Sequence, residues 1–260
     1  MDSLMQYVPI LALCMSRPLG MMIILPLFKG GAMGSGLIRH SLVLMFALPI
    51  IPMMQAQPID FATLPMTSLV AIYAGELLIG VILGFCAAIP FWAIDMAGFV
   101  IDTMRGASMS NVLNPLMGMQ SSIFGMFFTQ VLSVLFLVTG GFNALLTALY
   151  QSYSVLPPYS SLSFNQELLA FINQQWQMMC DMCLSFALPA MVVMIMVDVA
   201  LGLVNRSVEQ LNVFFLSMPI KSILVVFLLL VSMQFALSHY LESIELFESH
   251  VSTLFLLLKG

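Results

Sequence analysis

Arg17, Glu76, Asp95, Asp181 and Asp198 stand inside stretches that are otherwise apolar. An ionisable side chain at membrane depth is costly and faces protein or a water-filled cavity. Two kinds of chemistry suit such residues. Carboxylates strung along one path would relay ions. Single charges would instead form buried pairs that fix how helices or subunits pack. These five are scattered rather than strung together, so packing is the preferred reading. Asp95 and Asp198 are the candidates if protons are moved. Asp102 follows Asp95 by seven residues and shares its helix face. Arg105 follows Asp102 by three and can pair with it locally. Arg206 and Lys221 are expected to meet acids of neighbouring subunits or lipid head groups.

Two other features bear on packing. Gly80 and Gly84 form a GxxxG, and Ser121 with Gly125 repeats the spacing. Small residues at this interval let helix backbones approach closely, so Ala at position 80 should be tolerated better than Leu. Methionine is unusually frequent, at 24 residues. Met104, Met109, Met117 and Met119 fall in a segment, 102–120, that also carries Arg105, Gly106, Asn111, Asn114, Pro115 and Gly118. That mixture cannot be a clean lipid-facing helix. Irregular backbone at membrane depth survives only when buried in protein or lining a cavity. Flexible, polarizable Met side chains there suit a deformable gasket. Enzyme signatures are missing: there is no HExxH, GxSxG or P-loop. Cys180 and Cys183 form a CxxC inside an apolar run without a neighbouring His, which reads as packing. No cofactor or metal is expected.

The elements that must position these residues are membrane helices. Of 260 residues, 61% are hydrophobic and 7% charged, with mean hydropathy +1.07. A soluble domain carries roughly 25% charged residues, so a soluble enzyme, a disordered chain and a nucleic-acid binder are excluded. A bilayer core needs about 20 apolar residues in a helix. Six regions qualify or nearly do: 4–28, 37–54, 69–101, 121–150, 166–204 and 211–238. The third and fifth exceed one simple span and contain Pro90 and Pro189. Each is a long tilted helix, a kinked helix or two half-helices. Arg17-Pro18 is expected to break the first. Ser163 with Gln166 fits a capping box opening the fifth. The stretch 239–258 reads as an interfacial or packed helix. Basic residues concentrate in the odd linkers, which places those linkers in the cytoplasm and the N-terminus outside.

In order and spacing these landmarks resemble the FliR/SctT family of type III secretion and flagellar export. The resemblance runs nearly the whole chain. It rests on Arg17-Pro18-Leu19-Gly20, Leu25-Pro26-Leu27-Phe28, Ala47-Leu48-Pro49, Glu76-Leu77-Leu78-Ile79-Gly80 and Gly84-Phe85. Further on it includes Gly98 to Asp102, Arg105-Gly106-Ala107-Ser108 and Asn114-Pro115. The later half adds Ala187-Leu188-Pro189, Gly202-Leu203-Val204-Asn205-Arg206, Gln210-Leu211-Asn212 and Pro219-Ile220-Lys221-Ser222. Arg105 to Ser108 is more similar to the virulence branch than to the flagellar one. Asn114 stands where flagellar relatives often have Asp, which removes a charge.

The resemblance implies an all-α, polytopic subunit with long proline-broken helices, packed in a helical export-gate assembly. Its partners would be about five R-type (FliP-like) and about four S-type (FliQ-like) subunits, a U-type (FlhB-like) switch protein, membrane lipid and the secreted proteins. Residues 1–120 would resemble the R component and end in a pore plug, and 121–260 the S component. The plug would comprise Arg105, Gly106, Met109, Asn111, Asn114, Pro115, Met117 and Met119. The location would be the bacterial inner membrane at the base of the secretion system. The alternative is a proton-coupled secondary transporter using intramembrane carboxylates.

Overall fold

The computed structural model describes residues 2–28, 36–55, 65–107, 122–158, 165–207, 212–245 and 247–259. Among these the regular elements are helical, as an all-α membrane protein requires. They run α1 (Asp2–Ile24), a 3-10 turn (Pro26–Phe28), α2 (Gly36–Ala47), a second 3-10 turn (Leu48–Ile50), and α3 (Ile51–Gln55). There follow α4 (Met66–Met104), α5 (Ile123–Val138), α6 (Gly141–Val155), α7 (Gln166–Ser207), α8 (Val213–Glu245) and α9 (Phe247–Lys259).

Among the described residues three helical stretches are long and apolar enough to cross a membrane: Gly36–Met54, Met66–Met104 and Gln166–Ser207. The fourth apolar region is not straight. α5 and α6 meet at 68° and count as a fourth span only if taken together. Gly140 at the bend has φ +88°, a left-handed conformation that glycine adopts freely. Val8–Ile24 and Phe215–Val231 are shorter apolar helices.

The long helices stay continuous through their prolines, Pro90 in α4 and Pro189 in α7. α1 also continues through Pro18, contrary to the break expected at Arg17-Pro18. Proline lacks the N–H that would reach the carbonyl four residues back. For Pro18 that carbonyl belongs to Cys14, and the Tyr153 hydroxyl donates to it at 3.0 Å. The lost bond is thus replaced from α6. The α7 start also differs from expectation. The helix opens at Gln166, and the Asn165 carbonyl accepts from the Leu168 N–H, so Asn165 holds the capping place. Ser163 lies outside the described residues.

The chain forms two compact units. The first comprises 1–89, 140–175 and 245–260, the second 90–139 and 176–244. In the first, α2 and α3 lie against α1, and α9 lies against α6. Leu13, Met21, Met22, Leu83, Leu145 and Leu149 are fully buried. The stretch 239–258 resolves into the end of α8 and the packed helix α9, which buries Val251, Leu254, Phe255 and Leu258. In the second unit, aromatic rings meet edge to face along Phe128, Phe186 and Tyr240, and Phe91 meets Phe136 the same way. α4 and α7 differ in burial: 72% of the α4 apolar window is enclosed by this chain, against 17% for α7. α7 therefore leaves most of its apolar surface for other molecules.

Candidate functional site

α4 ends in a Schellman motif. The Gly106 N–H reaches the Thr103 carbonyl at 3.1 Å and the Ala107 N–H reaches the Asp102 carbonyl at 3.0 Å. Gly106 sits at φ +87°, where a Cβ would be strained, and Met218 of α8 lies over it. Sequence reading assigned Gly106 to a helix break, and its geometry supplies the mechanism. α5 begins at a side-chain cap. Ser122 Oγ accepts from the Gly125 N–H at 2.8 Å, satisfying one of the free donors of the first turn.

The two helix ends share one carboxylate. Asp102, 6% exposed, accepts on Oδ1 from Arg105 Nε at 2.8 Å. Its Oδ2 accepts from Ser122 Oγ at 2.7 Å and from the Phe124 N–H at 3.1 Å. The Arg105 guanidinium also covers the Phe124 ring, 4.5 Å from its centroid. Lys221 of α8 donates to the Met104 carbonyl at 3.2 Å and to Asp198 of α7 at 2.7 Å. A cation on an unpaired C-terminal carbonyl also complements the helix dipole. One end of α4 is therefore tied to α5, α7 and α8.

The other charges fall into place separately. In the first unit Arg17 and Glu76 are both inaccessible to water and form a two-pronged pair, with Arg17 Nη2 to Glu76 Oε1 at 3.0 Å. Arg17 Nη1 donates to Ser152 Oγ at 3.0 Å, Nη2 donates to the Leu156 carbonyl, and the guanidinium lies 4.1 Å from the Tyr153 ring centroid. Planar, multiply bonded arginine suits such a buried site. Asp95 is exposed on α4, and its Oδ1 lies beside Gly125. Arg206 is exposed in the last turn of α7. Lys221, expected to meet another subunit, instead pairs with this chain's Asp198. Their helices bring them together across a sequence gap that gave no sign of it.

The glycines also divide. A Cβ on Gly80 or Gly84 would run into the backbone of Arg17 or Met21, at 2.1 and 2.7 Å. Both mark the crossing of α1 and α4, where Gly20 faces Leu77 equally closely. In the second unit Gly98 faces Gly125, with only 2.3 Å between a Cβ there and the Gly125 nitrogen. Met109, Asn111, Asn114, Pro115, Met117, Met119 and Ser121 lie outside the described residues. Sequence reading missed Gly98, Ser122 and the Asp198–Lys221 pair. Only Ser122 left a local signal, a small hydroxyl residue just before an apolar run.

Residues 8–247 match the family described as bacterial export proteins, family 1. The chain is 45% identical over 237 residues to the secretion system apparatus protein SsaT of Salmonella typhimurium, covering 91% of this chain and 92% of that protein. It is 32% identical to the Yop proteins translocation protein T of Yersinia pestis, covering 93% and 92%. Against the flagellar biosynthetic protein FliR of Bacillus subtilis it is 33% identical, covering 60% and 61%.

Proposed function

Since the chain belongs to the FliR/SctT family of type III export apparatus proteins, we propose that it is a non-enzymatic structural subunit of the export gate, forming and plugging the inner-membrane pore for unfolded protein substrates. In this reading the plug is the loop 106–120, with Arg105 beside it. Its neighbours are R-type and S-type gate subunits and the U-type switch protein, with residues 1–120 the R-like half and 121–260 the S-like half.

The supporting observation is how the chain enters and leaves this segment. α4 stops at a Schellman glycine, Gly106, and α5 starts at a side-chain cap, Ser122. Between them the chain is Met-rich and otherwise lightly polar. Apolar bulk that re-forms its dispersion contacts after displacement can block ions and still yield to a passing polypeptide. The Asp198–Lys221 pair favours a structural role for that carboxylate over a proton relay. Replacing Met109, Met117 and Met119 by Ser should raise the permeability of cells to small solutes while the gate complex still assembles. Assembled complexes that stay tight would remove the plug.

A further inference from the structure

We propose that Asp95 is a docking charge. With Met96 and Phe99 it forms a patch of α4 that receives a helix of a neighbouring subunit, and that helix brings a lysine or arginine to the carboxylate. This rests on the reading of the chain as one subunit of an export gate.

Asp95 is the only charged residue between Leu77 and Ile101. It stands in the part of α4 that belongs to the second unit. There Phe91, Ala93, Ile94, Ala97 and Ile101 are inaccessible to water and form the core side of the helix. The opposite stripe holds Asp95, Met96, Phe99 and Thr103, all exposed and spaced as neighbours on one helix face. The Thr103 hydroxyl is turned back on its own helix, donating to the Phe99 carbonyl at 2.8 Å. Asp95 has no hydrogen-bond or ionic partner among the described residues. Its Oδ1 lies against Gly125 of α5, where a Cβ would stand only 2.5 Å away. The Gly125 N–H is already committed to Ser122 Oγ. α5 therefore gives the carboxylate a wall with no side chain at that point and no donor, and leaves it open to a cation from another chain.

The other helix-embedded acids show what such a group requires. Glu76 is paired with Arg17, Asp102 with Arg105 and Asp198 with Lys221. Asp181 of α7 also lacks a partner among the described residues, but exposed Gln177 and Ser185 stand one turn to either side of it. Asp95 has no such polar company: one turn to either side stand Phe91 and Phe99. Lipid tails offer a carboxylate nothing, and an ionised group at that depth is costly unless protein or water meets it. Water alone would also wet Met96 and Phe99. A helix with an apolar face and one basic side chain covers both of them and pairs the charge in the same contact. Hydrogen bonds from a cation to a carboxylate are the strong kind, so the pair also fixes the register of the incoming helix.

The test uses the full chain co-expressed with its R-type and S-type subunits. Phe99→benzoylphenylalanine places a photo-activatable group one turn from Asp95 and leaves the carboxylate intact. On illumination it should cross-link to a peptide of another subunit that has a Lys or Arg within about one turn of the linked residue. Labelling of lipid alone, or of a peptide without a basic residue there, would overturn the docking charge. Asp95→Lys should lower co-purification of the partner several-fold and Asp95→Asn should lower it less. An acidic residue at the partner's cross-linked basic position should restore binding to Asp95→Lys. Should the Asp95→Lys chain fail to accumulate, the cross-link and Asp95→Asn carry the test. Undiminished co-purification of both variants would also overturn the proposal. If the chain binds neither R-type nor S-type subunits, the gate reading falls by itself; cross-linking from position 99 in cells then still shows whether a basic helix meets the patch.

Discussion

Gly80 touches the backbone of Arg17: a Cβ at position 80 would stand 2.1 Å from the Arg17 carbonyl oxygen. The obstacle is main chain, which cannot rotate away as a side-chain tip would. Gly80→Ala should therefore already force α1 and α4 apart, and the larger Gly80→Leu should do so further. Overpacking of this kind costs about 1–3 kcal/mol or more. Gly202→Ala in α7 is the control, since nothing lies within 4 Å of it. It should be neutral or slightly stabilising, because glycine inside a helix is about 1 kcal/mol worse than alanine. Thermal unfolding of the purified complex separates the two; equal melting temperatures would refute the contact.

Arg17→Ala or Glu76→Ala should be severe. Each strands an uncompensated charge in the first unit's core, and breaking such a buried pair costs about 3–5 kcal/mol. Arg17 would leave Ser152 and the Leu156 carbonyl without their donor as well. The double change Arg17→Met with Glu76→Leu should be milder than either single change, because it removes both charges. Yield of folded chain in the co-expressed complex measures this, and additive losses would contradict it.

Lys221→Glu and Arg206→Glu should differ in kind. The first places a carboxylate beside Asp198 and removes the donor from the Met104 carbonyl. It should lower both assembly and secretion. The paired change Asp198→Lys should recover only part, since the Met104 bond is not restored. Asp198 is half exposed, so the ion pair itself contributes only about 0–1 kcal/mol. Arg206 is exposed at the end of α7, so its reversal should lower secretion while the chain accumulates normally. Immunoblots of cells and culture medium distinguish the two patterns.

Expressed alone, the chain should aggregate, and co-expression with the R-type subunit should rescue it. α7 exposes Leu184, Leu188, Val192, Ile195, Met196, Val199 and Leu203, and α8 exposes Phe215, Ile223, Phe227, Leu230 and Val231. Apolar faces this extensive mark interaction surfaces. A single monodisperse species in mild detergent, without partners, would count against this.

What the sequence discloses follows from the range of each signal. Long apolar runs announce α4 and α7, because hydrophobicity is read residue by residue. The Asp102–Arg105 pair is equally local, three residues apart on one helix. Gly80 and Gly84 are visible as a spacing, though the spacing does not say that Arg17 and Met21 are what they meet. Arg17 and Glu76 stand out as charges in apolar surroundings. That they find each other, with Ser152 and Tyr153, depends on helices 59 to 135 residues distant in sequence. Pro18 misleads for the same reason: a proline normally interrupts a helix, and the hydroxyl that compensates comes from Tyr153. Gly98 gives no sign by itself, since its counterpart Gly125 lies on another helix.

The length of α7 carries a consequence for its surroundings. At 1.5 Å per residue, its 42 residues make a rod of about 63 Å. Its large exposed apolar side chains are continuous only from Leu184 to Val204, about 30 Å along the axis, which matches the thickness of the hydrocarbon layer. Earlier in the helix Asn173, Gln174, Gln177 and Asp181 are exposed beside Leu169 and Trp176. The rod is therefore about twice as long as the layer is thick, and its polar-studded half must stand clear of the hydrocarbon whenever the apolar half lies within it.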